Sequence, residues 1–288
     1  MPGFCIGNCI CDHLWWCGSG YHIRAVLAVA ACFACTYHVA AWGLYPFAEG
    51  LLQKIPSKYP NEGGRHWFAS HIQSSLHALI ALYMALLPTI ELTWVSPAVQ
   101  FAPCQEEACE HHVVAIRSIA HGSLIFLAHL LVDLATGIAY KFIDATILVH
   151  HSIFIIFVVL VEYNCFLQYL AGWFLLMETS TLFLNYFSFF RNRLGYEHWS
   201  VKTDFVIFGV TFVTFRMIGG AVVSILFFSA LYNGQVPGIV EWHLWIICFG
   251  VGSTSFLNAY WLYGITKKTI KIYSKRGVSS REVPLKDH

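Results

Sequence analysis

Residues 116–140, IRSIAHGSLIFLAHLLVDLATGIAY, decide the fold class of this chain. A helix needs about 20 consecutive apolar residues to cross the roughly 30 Å hydrocarbon layer of a membrane, and this run is long enough. It nevertheless contains Arg117, His121, His129 and Asp133. Ionisable groups are costly in lipid and commonly mark functional sites, so the run predicts a transmembrane helix that carries part of such a site.

Apolar runs of similar length lie on both sides of this one. Of the 288 residues, 57% are hydrophobic and only 11% are charged, whereas roughly a quarter of the residues in soluble domains are charged. The runs are too long and continuous for the strands of a membrane barrel. We therefore predict an all-α polytopic membrane protein with about seven transmembrane helices. The predicted spans are 24–47, 68–90, 116–140, 145–162, 166–189, 205–231 and 242–265.

Lysine and arginine are distributed unequally between the predicted loops. Of 17 such residues, 14 fall on one side of the membrane, and seven of these lie between Lys267 and Lys286. Because basic loops stay in the cytosol, the tail is predicted to be cytosolic and the N-terminus lumenal or extracellular. The first 20 residues lack the features of a cleavable signal peptide. The first span is therefore expected to remain as an anchor.

The cysteines and the net charge limit the classes of ligand. No zinc-binding spacing recurs among the ten cysteines. Cys104 and Cys109 lie in a loop of the acidic side, which faces an oxidising compartment, so they either form a disulfide or remain free thiols. The net charge is +1 and no basic patch alternates with aromatic residues. Nucleic acid is therefore not an expected partner.

Ionisable residues recur at one depth in five of the predicted spans. Asp133 precedes residue 142, in the middle of a short loop, by nine positions, and His151 follows it by nine. Antiparallel packing therefore brings this carboxylate and this imidazole to one level. His77, Glu178 and Arg216 lie about ten residues from the cytosolic ends of their own spans, roughly 15 Å deep. The residues expected to converge are His77, His129, Asp133, His150, His151, Glu178 and Arg216.

Polar residues also repeat at helical spacing on two spans. Each set forms a stripe on an otherwise apolar helix, and such stripes face the interior of a bundle. The stripes are Ser70, Ser74 and His77, and Glu178, Thr181, Asn185 and Ser188. They predict a polar-lined cavity, although hydrogen bonding between helices would explain any single member. The predicted lining is His77, His129, Glu178, Thr181, Asn185 and Arg216.

Three of the converging residues would be catalytic if the protein is an enzyme: His150, His151 and Asp133. An imidazole beside a carboxylate acts as a general base, or as a nucleophile that carries an acyl group from a thioester to an amine or alcohol. Adjacent residues point about 100° apart on a helix, so only one histidine can face Asp133. His129 lies one turn before Asp133, which would let the carboxylate fix the tautomer of that ring.

A membrane di-iron site is the competing interpretation of so many histidines. It needs several histidine pairs one helical turn apart that converge on two metal ions. His66 and His71 come near this spacing, but no companion motif with adjacent histidines is present at the required distance. We therefore predict no metal site and no cofactor.

Together these motifs resemble the TLC domain, the fold shared by ceramide synthases, cargo receptors and several lipid-homeostasis proteins. The similar region runs from about 66 to 266. The resemblance implies six helices in a ring around a lipid-sized cavity, with the first span outside the ring. The residues that carry it are Ser75-Leu76-His77-Ala78, Asp133, the pair His150-His151, the stripe from Glu178 to Asn185, and Arg216.

One difference from the ceramide synthases indicates which subfamily the chain resembles more. Met177-Glu178-Thr179-Ser180-Thr181 stands where ceramide synthases carry an aspartate-rich segment, so the chain is more similar to the lipid-homeostasis proteins. The resemblance then implies a protein that binds or senses acyl lipids, with membrane lipids as partners, in the endoplasmic reticulum rather than the plasma membrane. The alternative is an acyltransferase that uses acyl-CoA and the His150-His151 pair. A cargo receptor rests on family analogy alone.

The expected organisation has four parts. Residues 1–22 form a cysteine-rich lumenal or extracellular segment, and 23–65 the first transmembrane helix with a cytosolic loop. Residues 66–266 form the six-helix domain, and 267–288 a basic cytosolic tail. The sequence does not indicate an oligomeric state.

Overall fold

The computed structural model describes residues 19–54, 64–101, 111–141, 143–164, 166–236 and 239–279. All regular secondary structure in these ranges is helical, which confirms the predicted all-α class. The predictions for Cys104 and Cys109, for most of the N-terminal segment and for the end of the basic tail lie outside the described residues.

The helices follow the predicted spans closely. Two short π-helical segments, Val39–Leu44 and Phe212–Gly219, continue the helices on either side of them. The α-helices are α1 (Ser19–His38), α2 (Tyr45–Lys54), α3 (Arg65–Thr93), α4 (Pro97–Phe101), α5 (Val113–Ala139), α6 (Ala145–Asn164), α7 (Gln168–Met177), α8 (Thr179–Phe190), α9 (Trp199–Thr211), α10 (Gly220–Tyr232) and α11 (Glu241–Ser279).

Five stretches of the described chain are long and apolar enough to cross a membrane. The other two predicted spans are helical as well, because 166–189 corresponds to α7 and α8, broken at Glu178, and 242–265 lies within α11. The five stretches are Ile23–Gly50, Arg65–Thr93, Val113–Ala139, Ala145–Glu162 and Trp199–Tyr232.

Helices α3 and α5 pack antiparallel and fix the register of the site. Ser118 Oγ of α5 donates a hydrogen bond to the Met84 carbonyl of α3 at 2.8 Å. Nearer the other end of the pair, Ser70 Oγ of α3 donates to Asp133 Oδ1 of α5 at 3.3 Å. Buried polar groups need such partners, so these bonds hold the two helices in one alignment.

Helix α7 leaves the wall of the bundle and fills its interior. Nine of its ten residues are buried, and it packs against α3, α5, α10 and the segment Phe212–Gly219. Gly172 permits this approach, because a Cβ atom there would collide with the Thr89 side chain and lie 3.0 Å from Ile119 Cδ1. Helix α4 covers the end of α7 through Phe101, whose ring lies 5.8 Å from that of Tyr169.

The other half of the bundle is hollow. Its wall consists of α3, α5, α6, α11, α9 and α8, while α1 packs on the outside of α3 and α5. Arg65, Asp144 and Arg191 lie at helix ends around this half, and α11 contributes Lys267 from its interior. We call it the basic end, and the charge pattern predicts that it is cytosolic. The fifth span is thus divided between the interior and the wall, a refinement of the implied six-helix ring.

Candidate functional site

A cavity of about 860 Å³ occupies the hollow half of the bundle. Trp67, Asp144, Tyr196 and Lys267 line it near the basic end, and helices on every side contribute to its wall. Its deepest lining residues include Phe126, Glu178 and Arg216, at the level where α7 ends. The packed helix α7 therefore forms its floor.

Eight of the nine site residues predicted from the sequence line this cavity. The exception is His77, which lies one layer behind the wall. The eight are His129, Asp133, His150, His151, Glu178, Thr181, Asn185 and Arg216. The structure therefore brings together groups from α5, α6, α8 and the π-helical segment Phe212–Gly219.

Arg216 and Glu178 form an ion pair at the cavity floor. Arg216 Nη2 donates to Glu178 Oε1 at 3.1 Å, and only 8% and 11% of the two side chains are exposed. Arg216 Nη2 also donates to Thr181 Oγ1 at 3.2 Å, while Thr181 Oγ1 donates to Glu178 Oε2 at 2.8 Å. Both carboxylate oxygens thus have a donor, which a buried charge requires.

The local backbone explains why Arg216 reaches this position. The break at Glu178 leaves the carbonyl of Met177 available, and Arg216 Nε donates to it at 3.1 Å and to Ser180 Oγ at 2.9 Å. Arg216 lies in the π-helical segment Phe212–Gly219. Wide turns of this kind are rare in proteins, and those that occur are often found at functional sites. A broken helix and a widened helix therefore meet at one ion pair.

Asp133 and His151 face each other across the cavity wall. His151 Nε2 lies 3.6 Å from Asp133 Oδ2, and 9% and 17% of the two side chains are exposed. The second oxygen of Asp133 accepts the hydrogen bond from Ser70 described above. The depth argument from the sequence thus matched the correct imidazole with the correct carboxylate.

His150 points in another direction, as expected for an adjacent helical residue. Its ring lies 4.6 Å from that of Phe154 and 5.1 Å from that of Trp261. Trp261 of α11 also approaches Arg216, whose guanidinium carbon is 5.8 Å from a Trp261 ring. His150 thus joins α6 to α11 beside the floor, whereas His151 joins α6 to α5.

His129 does not depend on Asp133, contrary to the expectation from their spacing. Its Nδ1 atom lies 3.3 Å from Gln73 Nε2, so the amide of α3 donates to it. Its ring stacks on His77 at 4.1 Å, with the planes 4° apart. Two residues one turn apart on a helix can each contact a neighbouring helix instead of each other. Here the packing of α5 against α3 gives His129 a partner on α3.

His77 is a buried aromatic contact instead of a cavity wall residue. It is 1% exposed, and its ring stacks on Phe126 at 5.2 Å as well as on His129. Among the described residues, neither ring nitrogen has a hydrogen-bond partner. Phe33 of the outer helix α1 packs edge-on against both histidines. The polar stripe of α3 thus lines the cavity at Ser70 and Ser74 but leaves it at His77.

The mouth of the cavity combines cations with aromatic rings. The guanidinium carbon of Arg191, which lines the cavity, lies 5.4 Å from the ring centre of Phe187. Beside the cavity, the guanidinium carbon of Arg193 lies 4.8 Å from the ring centre of Phe189. Asn185 Nδ2, deeper in the cavity, donates to Ser75 Oγ of α3 at 3.1 Å. Aromatic and basic residues are enriched at membrane interfaces, which places this mouth near the head-group layer.

Sequence reasoning did not assign a role to several residues of the site. Ser180, Gln73 and Trp261 are partners of Arg216, His129 and His150, respectively. Ser180 follows Glu178 inside the matched stripe, so its position gave a signal. Trp261 is one of ten tryptophans in the chain and lies in an apolar predicted span, so no pattern in the sequence distinguishes it.

Comparison with known proteins agrees with this geometry. Residues 67–267 match the family model of the TLC domain. No curated protein and no solved structure matches the chain. The matched segment is more than half of the 288 residues and contains the cavity and the residues that line it. The chain therefore belongs to the TLC-domain family of membrane proteins.

Proposed function

We propose that this protein binds or senses an acyl lipid in the cavity and thereby contributes to membrane lipid homeostasis. The observation that carries the proposal is a cavity of about 860 Å³ inside a membrane-embedded helical bundle. Ligand pockets range over about 300–1,000 Å³, so this volume suits a large ligand.

The wall chemistry suits an amphipathic ligand. Phe126, Leu130, Leu184, Phe205 and Phe208 supply apolar surface for a hydrocarbon chain. The polar groups of Asp133, His151 and Asn185 also face the cavity and can bind a carbonyl, hydroxyl or phosphate oxygen, or an amine. A lipid presents both kinds of surface, whereas a metabolite without a chain would leave the aromatic walls unmatched.

Mass spectrometry of the purified protein tests the binding. We expect protein isolated in mild detergent to retain about one acyl lipid per chain. Leu184→Trp should lower this occupancy several-fold, because Leu184 lines the cavity and the larger ring would occupy part of it. Leu79→Trp is the matched control, since Leu79 is 52% exposed on the outer surface of α3. Equal occupancy in both variants would contradict the proposal.

An acyltransferase is the second candidate, and the contact between His151 and Asp133 is what favours it. In that reaction an imidazole nitrogen of His150 or His151 attacks the thioester carbonyl of a long-chain acyl-CoA. The carbon–sulfur bond breaks, coenzyme A leaves as the thiol after taking a proton, and the acyl group then passes to an amine or alcohol. Asp133 would orient the ring and stabilise its charged form.

The two candidates differ in one measurable product. An acyltransferase incubated with long-chain acyl-CoA should gain the mass of one acyl group on the peptide that contains His150 and His151. The adduct should disappear in the double variant His150→Ala, His151→Ala and diminish in Asp133→Asn. The lipid-binding proposal expects bound lipid without an adduct. An adduct that persists in the double variant would place the chemistry on another residue.

The cellular setting is part of the proposal. The basic end faces the cytosol, so the ligand enters from that side, and the endoplasmic reticulum is the membrane that the family resemblance favours. Immunofluorescence with organelle markers, combined with epitope tags at the two termini, measures both features.

A further inference from the structure

We propose that a phospholipid enters the cavity sideways, from the leaflet at the basic end, through a cleft between α9 and α11. This inference rests on the proposed lipid binding and specifies the route and the head group. We call the space between these two helices, bounded by Phe205 and Phe208 on α9 and by Tyr260 and Gly264 on α11, the α9–α11 cleft.

The packing of the wall indicates where the cleft lies. Neighbouring wall helices pack against each other at α3–α5, α5–α6, α6–α11, α8–α9 and α3–α8. Helices α9 and α11 both line the cavity, yet in the described part of the chain they do not pack along each other. Packed helices approach to about 8–10 Å between axes, so a pair without such contacts leaves the wall thin or open.

The cleft begins where the two helices are held together at the cavity floor. Asn258 Nδ2 of α11 donates to the carbonyl of Arg216 at 3.5 Å. From this contact both helices run toward the basic end, α9 in reverse chain order and α11 in chain order, and they separate. The distance along α11 from Asn258 to Lys267 is about 13 Å at 1.5 Å per residue. The cleft therefore has about the depth of one hydrocarbon leaflet, roughly 15 Å.

The outer flanks of the cleft face lipid. Val206 and Val210 of α9 are each 60% exposed and do not line the cavity, whereas Tyr260 and Tyr263 of α11, 56% and 64% exposed, border the cavity at the cleft. Large apolar and aromatic side chains at this exposure are stable only against hydrocarbon or the interface. A lipid chain can thus pass from the leaflet to the aromatic wall at Phe205 and Phe208 without crossing water.

The rim of the cleft identifies the head group. Lys267 and Arg191 line the mouth of the cavity, and the Lys267 ammonium lies 6.0 Å from the ring centre of Tyr263. Cationic side chains form strong charge-assisted hydrogen bonds with phosphate oxygens. A phospholipid that lies in the cleft would place its phosphate at this rim while one acyl chain extends inward.

Gly264 offers a way to narrow the cleft without disturbing the core. It lines the cavity, and a Cβ atom built on it has no other heavy atom within 4 Å. A larger side chain there therefore extends into open space. Gly252, on the same helix, also has nothing within 4 Å of its Cβ position, but it is exposed and does not line the cavity. It is the matched control.

The test measures the rate of lipid exchange separately from occupancy. Full-length protein in detergent-free nanodiscs is mixed with vesicles of isotopically labelled phosphatidylcholine, and bound labelled lipid is followed by mass spectrometry. We expect Gly264→Trp to slow both uptake and release by about tenfold or more, as for a gated binding site. Gly252→Trp should leave both rates within about twofold of the unmodified protein.

Tryptophan at position 264 could reduce the occupancy as well as the exchange rate. A series of smaller side chains separates the two effects: Gly264→Ala, Gly264→Val and Gly264→Leu. Rates that fall with side-chain size support the cleft as the entry route. Rates that stay constant while occupancy falls overturn it, because the side chain then only fills the cavity. If the unmodified protein binds no lipid at all, the proposed function fails instead.

A second pair of variants tests the head group. Lys267→Glu should slow the uptake of labelled phosphatidylcholine several-fold at low salt, and added salt should reduce the difference because it screens charges near the surface. Lys202→Glu is the control, since Lys202 pairs with Glu197 at 3.0 Å and does not line the cavity. Equal effects of the two variants on phosphatidylcholine uptake, or a slowing of labelled diacylglycerol uptake by Lys267→Glu as large as that for phosphatidylcholine, would remove the phosphate from the inference.

Discussion

Burying Arg216 and Glu178 costs desolvation energy for both side chains. Their mutual attraction offsets this cost only while both partners are present. Each group is about nine-tenths buried, and four acceptors surround the guanidinium. A buried charge that loses its partner destabilises a fold by about 3–5 kcal/mol, whereas replacing both partners often costs little. The pair is therefore a coupled unit.

We predict that Glu178→Gln and Arg216→Gln each destabilise the protein by about 3–5 kcal/mol, while the double variant costs clearly less than their sum. Thermal unfolding in detergent measures this double-mutant cycle. The exposed pair of Lys202 and Glu197, with 47% and 70% of the side chains exposed, is the matched control. Its cycle should give a coupling of about 0–1 kcal/mol. Simple additivity at residues 178 and 216 would contradict the pairing.

His77 gives a second prediction at the same scale. Its ring nitrogens are buried without hydrogen-bond partners among the described residues, so its imidazole contributes mainly as a flat ring between His129 and Phe126. We expect His77→Phe to keep or raise the midpoint of thermal unfolding, since an unsatisfied buried polar group costs about 1–3 kcal/mol. His77→Ala should lower it through a cavity cost of about 2–5 kcal/mol.

Lipid retention separates a packing role for His77 from a binding role. His77→Phe should hold as much lipid as the unmodified protein, because the ring lies behind the cavity wall. A loss of lipid with unchanged unfolding temperature would show that the nitrogen atoms matter. In that case the sequence-based placement of His77 in the lining would describe the site better than the static geometry.

The residue pairings show what the sequence could and could not predict. Asp133 and His151 were matched by depth because the loop between their helices is short and leaves little freedom of register. The spacing alone paired His129 with Asp133, and this was wrong, because the amide of Gln73 on a neighbouring helix donates to His129 Nδ1 instead. Distances along one helix are fixed by geometry, but contacts between helices depend on rotation, which spacing does not determine.

At the scale of elements, helix α7 depends on the absence of a side chain at Gly172. We predict that Gly172→Ala destabilises the protein by about 1–3 kcal/mol, because the added methyl group meets Thr89 and Ile119. Gly252→Ala, on open surface, should instead be neutral or stabilising by up to about 1 kcal/mol. Thermal unfolding of both variants, and of Gly172→Ala combined with Thr89→Ala, provides the comparison.

The third variant identifies the cause of the effect. If crowding at Thr89 is responsible, Thr89→Ala recovers part of the stability lost in Gly172→Ala. If Gly172→Ala proves as stable as Gly252→Ala, helix α7 is not packed as tightly as the structure indicates. If Gly172→Ala alone does not lower the stability but adding Thr89→Ala raises it, Thr89 has a separate effect, since its buried hydroxyl has no hydrogen-bond partner among the described residues.

The elements themselves were mostly predictable, and the exceptions have a common reason. The run 166–189 is apolar throughout, so its hydrophobicity indicates one span, yet the structure breaks it at Glu178. The polar residues from Glu178 onward do not predict the break in the helix, because a polar stripe on an unbroken helix has the same spacing. The π-helical segments at Val39–Leu44 and Phe212–Gly219 left no signal at all, since they change the number of residues per turn without a change in composition.

At the scale of the whole molecule, the unequal distribution of basic residues predicts the orientation. We expect a membrane-impermeant thiol reagent, added after mild reduction to sealed vesicles with the cytosolic face outside, to leave Cys104 and Cys109 unmodified. A cysteine introduced as Lys275→Cys should react fully under the same conditions. Peptide mass spectrometry identifies the modified sites, and detergent-opened vesicles provide the control in which all become accessible. The reverse pattern would invert the topology.

The class of fold was predictable because membranes permit few solutions. Long apolar runs, short loops and basic residues on one side leave a helical bundle as the consistent choice. The position of the cavity was not predictable, because it depends on which span fills the interior. That choice follows from packing at Gly172 and from the contact between Arg216 and the Met177 carbonyl, neither of which has a signature in hydrophobicity.

The packed half of the bundle has a consequence for the surrounding bilayer. Because α7 and α4 fill the end opposite the basic end, a lipid that enters as proposed would return to the leaflet from which it came. Each occupied molecule therefore removes the cross-sectional area of one lipid from a single monolayer. Where the protein is abundant, occupancy would create an area difference between the two monolayers, and a bilayer relieves such a difference by curving so that the fuller monolayer lies on its convex side.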